Sequence, residues 1–98
     1  MSKLKDFVKK MNAIEEDLKL DLTDLRLLSY AEQHWEEKRD VRVTDFVRAN
    51  AASPATVHYR IAKDLVDRKF VKLKLNPEDA REKFVVRGSK FDELEKYL

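Results

Sequence analysis

Ser53, Thr56, His58, Tyr59, Arg60 and Lys63 fall within one stretch of eleven residues, and Lys72 and Lys74 follow shortly after. Such hydroxyl, imidazole, phenol and cationic groups bond phosphate oxygens and other anionic acceptors. Nothing near them adds up to covalent chemistry. The chain has no cysteine, which excludes thiolate catalysis and disulfides. His34 and His58 are its two histidines, too few for a zinc ligand set. One glycine in 98 residues leaves no phosphate-cradling loop. No nucleophile stands with a base, and no paired carboxylates stand with an apolar pocket. The expectation is a binding protein, not an enzyme, with no cofactor and no metal.

The formal charge of +2 is unevenly spread. Residues 1–40 carry eight Lys/Arg against ten Asp/Glu, and residues 41–52 carry Arg42 and Arg48 against Asp45. Residues 53–75 hold Arg60, Lys63, Arg68, Lys69, Lys72 and Lys74 against Asp64 and Asp67. Residues 76–98 carry five positive and six negative charges. The excess positive charge thus lies in one continuous stretch, the footprint of a polyanion partner.

The elements that must position these groups are punctuated by two prolines and one glycine. Residues 3–19 read as a helix with an apolar stripe of Leu4, Phe7, Val8, Met11, Ile14 and Leu18. Thr23 is expected to cap a second helix running to about Lys38, with Leu25, Leu28, Ala31 and Trp35 inward and Leu27 close by. Val41 and Val43, alternating with Arg42, suggest a short strand. Thr44 then caps a third helix of about 45–51, with Phe46, Val47 and Ala49 inward, followed by a turn at 50–52. Ser53-Pro54 pairs a preferred N-cap with proline at the first helical position, so a fourth helix starts at Pro54 and ends near Arg68. Val57, Ile61 and Leu65 form its inner face. Phe70–Leu75 reads as a half-buried strand, Asn76–Asp79 as a turn, and Phe84–Val86 as the returning strand. Gly88-Ser89 stops the hairpin, and Ser89 is expected to cap a last helix whose Phe91, Leu94 and Leu98 form a stripe, with Tyr97 beside it.

A short helix, a tight turn and a second helix make a helix-turn-helix, and a hairpin directly after it is a wing. The fold class is α+β, mostly α: a winged helix-turn-helix with short terminal helices. In this geometry the start of the second helix enters the major groove of double-stranded DNA. With Val57, Ile61 and Leu65 inward, Ser53, Ala55, Thr56, Tyr59, Arg60 and Lys63 lie on other faces and His58 near the edge. Ser and Thr bond phosphates or base edges. Arg and His donate to guanine, and the Ala and Thr methyls touch the thymine methyl. Asp64 and Asp67 come further along, away from the duplex.

The stretch from Leu22 to about Phe91 resembles the MarR-type winged-helix regulators. Leu22-Thr23 before an apolar helix is similar to that family's second helix, and Ser53-Pro54-Ala55-Thr56-Val57 to the opening of its recognition helix. Leu65–Val71 resembles its exit into the wing, and Asp79-Ala80-Arg81-Glu82-Lys83-Phe84-Val85 resembles its D-x-R-x-K wing. The resemblance implies that Arg81 reaches the minor groove, that Asp79 holds it, and that Lys83 joins the DNA contacts. Three features depart from the family pattern. Lys69 stands where glycine is usual, Leu65 follows Ile61 by four, and Arg87-Gly88 stands where the family has Leu-Thr. A left-handed lysine at 69 costs on the order of 1 kcal/mol.

The expected organisation is one domain. Residues 1–20 form an N-terminal helix suited to dimerisation, 22–87 the DNA-binding core and wing, and 89–98 a C-terminal helix. That last helix is far shorter than those the family uses for dimers and effector pockets, so the resemblance points to a short version with no small-molecule effector. The expected partners are double-stranded DNA and a second copy of the chain, in the cytoplasm or on the nucleoid. No apolar run is long enough for a membrane helix and no signal peptide is apparent. The other reading is a winged-helix protein–protein interaction module without specific DNA binding.

Overall fold

The computed structural model describes residues 2–49 and 53–98. In chain order it contains α1 (Lys3–Leu18), α2 (Leu22–Glu36), α3 (Val43–Ala49), α4 (Pro54–Tyr59), a π turn (Arg60–Asp64), α5 (Leu65–Asp67), β1 (Val71–Asn76), β2 (Asp79–Arg87) and α6 (Phe91–Glu95). α4, the π turn and α5 run on as one helical rod.

One apolar core joins all of these elements. Ile14 and Leu18 of α1 and Leu20 join Leu27, Leu28 and Ala31 of α2, with Val41, Val43, Phe46, Val57, Ile61, Leu65, Phe70, Val71, Val85, Phe91 and Leu94 completing it. Trp35 spans from α2 to the hairpin. Its indole N–H donates to the Val85 carbonyl at 3.0 Å, and its ring meets Phe91 edge-on at 5.3 Å.

The inner face of the rod explains the π turn. In a regular α-helix each four-residue step overshoots a full turn by about 40°. Val57, Ile61 and Leu65 are two such steps apart, yet all three are fully buried. The wider turn, closed by Leu65 N–H donating to the Arg60 carbonyl, absorbs the overshoot and keeps Leu65 on the core side.

β1 and β2 pair antiparallel, with an irregularity at Leu75/Asn76. Val71↔Arg87, Leu73↔Val85 and Leu75↔Lys83 share one face, while Lys72↔Val86 and Lys74↔Phe84 share the other. The hairpin is anchored by backbone approach. Gly88 N–H donates to Phe70 O at 3.0 Å, and Lys90 N–H to Lys69 O at 2.9 Å. A Cβ on Gly88 would lie 2.2 Å from the Lys69 carbonyl oxygen, so only glycine fits. Lys69 itself is left-handed, at φ 65°. It adopts the glycine-like conformation with a lysine side chain.

Several local expectations are corrected. α2 is capped by Asp21, not Thr23: Asp21 accepts from Asp24 N–H at 2.9 Å and Asp24 accepts from Asp21 N–H at 3.2 Å, a reciprocal capping box. Val43 opens α3 and is not a strand residue, because the Asp45 carboxylate accepts from Arg42 N–H at 2.9 Å and starts the helix early. The expected strand shrinks to a single bridge, Arg42 with Phe84. Ala49 is exposed, not inward. The turn at 50–52 lies outside the described residues. Ser89 does not cap α6, whose preceding residue is Lys90 with no side-chain cap. Leu98 is exposed, and so is the first half of the α1 stripe.

Candidate nucleic-acid interface

α3 and the α4–α5 rod form the helix-turn-helix pair, and the hairpin rises beside them. Ser53 starts the rod as the sequence requires. Its hydroxyl accepts from Thr56 N–H at 3.3 Å and donates to Thr56 Oγ1 at 2.9 Å. Ala55, Thr56, His58 and Tyr59 are all exposed on α4. Their exposure follows from the burial of Val57, which fixes the rotation of the helix.

A cleft of about 310 Å³ lies between the rod and the wing, and His58, Arg81, Lys83, Arg42 and Thr44 converge on it. Arg81 is almost wholly in solvent, with a side chain 91% exposed. Asp79 holds its base: Asp79 Oδ1 accepts from Arg81 N–H at 3.0 Å and from Arg81 Nε at 3.3 Å. Lys83 lies on the face of the hairpin that carries Leu73 and Val85. Lys72 and Lys74 are exposed on the opposite face, so the fold does not bring them to the cleft.

Arg42 and Thr44 enter the cleft without having been singled out from the sequence. Arg42 Nη1 donates to Glu82 at 3.2 Å, linking the start of α3 to the wing. Hydrogen bonding to Asp45, with the Asp45 and Glu82 charges, raises its pKa further above the usual arginine range. The signal that could have found it is the lone arginine between Val41 and Val43, where the chain leaves the core.

Half of the basic residues in 53–75 are committed within the molecule. Arg60 Nη1 donates to Asp21 at 2.8 Å and to Asp24 at 3.0 Å, at the N-terminus of α2. These hydrogen bonds, Asp21 first, raise the Arg60 pKa against the cost of burial. Asp24 is buried, and Arg60 neutralises it. Arg68 donates to the Leu18 and Lys19 carbonyls at the end of α1, and to Asp64 at 3.3 Å. Lys63 pairs with Asp67 at 3.2 Å on the exposed surface of the rod, a contact that competes weakly with solvent. Arg60 and Arg68 therefore clamp the rod to α1 and α2. The cations at the cleft are Lys83, Arg81, which pairs with Asp79, and Arg42, which pairs with Asp45 and with Glu82 of the cleft wall. Among the described residues, no group of three or more His, Cys, Asp or Glu side chains could hold a metal ion, and no helix is long and apolar enough to cross a membrane.

The helix order, the helix-turn-helix pair and the antiparallel hairpin make the chain a winged helix-turn-helix. Comparison with solved structures agrees. The fold matches the transcriptional regulator Tm0710 from Thermotoga maritima with a TM-score of 0.71 at 16% sequence identity, over 96% of this chain. The chain spans 62% of the length of that regulator. No protein-family model matches the sequence, and no curated protein does.

Proposed function

We propose that this protein is a transcriptional regulator that binds double-stranded DNA, of the MarR type that its wing sequence resembles. The observation that carries the reading is the cleft between rod and wing. Residues from α3, α4 and β2 meet there, with an exposed arginine steadied by an aspartate at the wing tip. The α4 end of the rod enters the major groove, with Ala55, Thr56, His58 and Tyr59 toward bases and backbone. Arg81 reaches for the minor groove, where a narrow groove concentrates negative potential. Lys83, Arg42 and Thr44 follow the phosphates. Ser53 contributes through its cap as well as its hydroxyl. Lys72 and Lys74 approach DNA only where the duplex bends around the wing. Arg60 acts as a positioning residue that fixes the rod on α2. Two copies of the chain present two such rods to a two-fold related site.

The test is fluorescence anisotropy with random-sequence duplex DNA across a salt series. Four to five phosphate contacts predict a log–log slope of roughly −4, at about −0.9 per contact. A flat salt dependence, or no binding at low salt, overturns the reading and leaves a protein-docking module.

A further inference from the structure

The cleft between rod and wing is not uniformly cationic. Among the described residues that line it, Glu82 is the one carboxylate, set among Arg42, Arg81, Lys83 and His58. Its side chain is 35% exposed, so a ligand in the cleft would meet it. Both of its oxygens are engaged. Oε1 accepts from Arg42 Nη1 at 3.2 Å, and Oε2 accepts from Asn76 Nδ2 at 3.3 Å. Asn76 is itself held, since its Oδ1 accepts from Glu78 N–H at 2.9 Å in the turn of the hairpin. Glu82 is thereby anchored on the wing while it reaches across to the start of α3.

Arg42 has two acidic partners that differ in kind. Asp45 accepts from the Arg42 backbone N–H at 2.9 Å, with a looser 3.5 Å contact to the guanidinium. Its main service is to start the helix. Glu82 stands 40 residues away in the chain and makes its contact with the guanidinium. Carboxylate and phosphate oxygens are both strong acceptors for a guanidinium. In the free chain Arg42 Nη1 thus already holds the kind of partner that a nucleic-acid backbone would offer. The Arg42 side chain is 40% exposed, and an ion pair so exposed is weak enough to exchange.

We propose that Glu82 competes with DNA phosphate for Arg42 and so holds down the sequence-independent affinity of the cleft. The proposal rests on the regulator reading and names a control built into that same site. A phosphate that takes Arg42 leaves Glu82 beside it, still bonded to Asn76. One like charge then stands against the duplex and cancels about one of the cationic contacts. Contacts of α4 with base edges are unaffected, so they carry a larger share of the binding.

Fluorescence anisotropy with the random-sequence duplex across salt tests it on the native chain and three variants, each checked for folding by its far-UV spectrum. Glu82→Gln keeps an acceptor for Arg42 and removes the charge. It should bind about tenfold tighter than the native chain, with a log–log slope steeper by about one. A wing strut with a purely structural role predicts the reverse, weaker binding with no steeper slope. Arg42→Gln combined with Glu82→Gln should return affinity and slope to near the native values, because charge and counter-charge leave together. Glu16→Gln makes the same change of net charge on the exposed surface of α1 and should leave both unchanged. Native binding with the expected slope but no tightening in Glu82→Gln overturns the competitor and leaves the regulator reading standing. Equal tightening in Glu16→Gln also overturns it, since overall charge then accounts for the gain. So does a double variant as tight as Glu82→Gln, since the gain then does not run through Arg42. Absent or salt-independent binding by the native chain and Glu82→Gln alike overturns both readings.

Discussion

Replacing Arg60 with methionine should cost stability and spare DNA affinity. Methionine keeps much of the aliphatic stem and removes the guanidinium. The Asp24 side chain is 3% exposed and accepts from Arg60 Nη1 at 3.0 Å and from Asp21 N–H at 3.2 Å. Without Arg60 it keeps the capping bond and loses its counter-charge. Breaking a buried ion pair costs about 3–5 kcal/mol. The Arg60 side chain is 28% exposed, so water reaches the gap and the cost falls below that range, to about 2–3 kcal/mol. For a chain of this size that lowers the melting temperature by roughly 10–20 °C. Urea unfolding followed by the fluorescence of Trp35 measures it. Acid adds a second readout. Burial alone would raise the Asp21 carboxyl, but the Asp24 N–H and Arg60 outweigh it and hold it below its ordinary 3.8. Its stabilisation is therefore present above 3.8 and is lost as pH falls through the lower folded value. Arg60→Met should shrink that acid-dependent loss. A stability change below about 0.5 kcal/mol, within the range of an ordinary surface substitution, would refute the clamp. A fall in DNA affinity with stability intact would return Arg60 to the DNA surface.

Gly88→Ala should destabilise the fold by about 1–3 kcal/mol or more, since its Cβ would meet backbone that cannot move aside cheaply; chemical denaturation checks this. Arg81→Ala should leave the melting temperature unchanged, reduce duplex affinity about tenfold and lower the salt slope by about one, as read by anisotropy. Trp35→Phe leaves the Val85 carbonyl without its indole donor and should cost about 1 kcal/mol or more in urea unfolding followed by far-UV circular dichroism.

The sequence makes the fold around the candidate site legible where one residue type has one physical use. Ser53-Pro54 can only start a helix economically, and the helix starts there. Val57, Ile61 and Leu65 fixed the buried face, although their spacing hid the π turn that delivers them. Lys69 stands where glycine is expected, and its φ of 65° is the strain that position imposes on a lysine. Where two residues offered the same service, local reading chose between them without seeing the partner. Asp21 and Thr23 both cap well, and the reciprocal bond with Asp24 decides for Asp21. Thr44 reads as a cap for α3 but lies inside its first turn, because Asp45 accepts from Arg42 N–H and the helix starts at Val43. Charge was the least legible quantity. The sequence counts Arg60 and Arg68 as cations of the basic stretch, while the fold turns them onto α2 and α1. Pairing across 39 and 49 residues leaves no local trace. The two faces of the hairpin were hidden likewise, because register alone separates Lys83 from Lys72 and Lys74.

Amide chemical-shift mapping of the labelled protein during titration with duplex DNA tests the central claim most directly. The account predicts perturbations gathered on α4 from Ser53 to Tyr59, around Arg42 and Thr44, and along the wing from Asp79 to Lys83, with the exposed first half of α1 unmoved. Perturbations centred on α1 and α2, with the rod and wing silent, would contradict it.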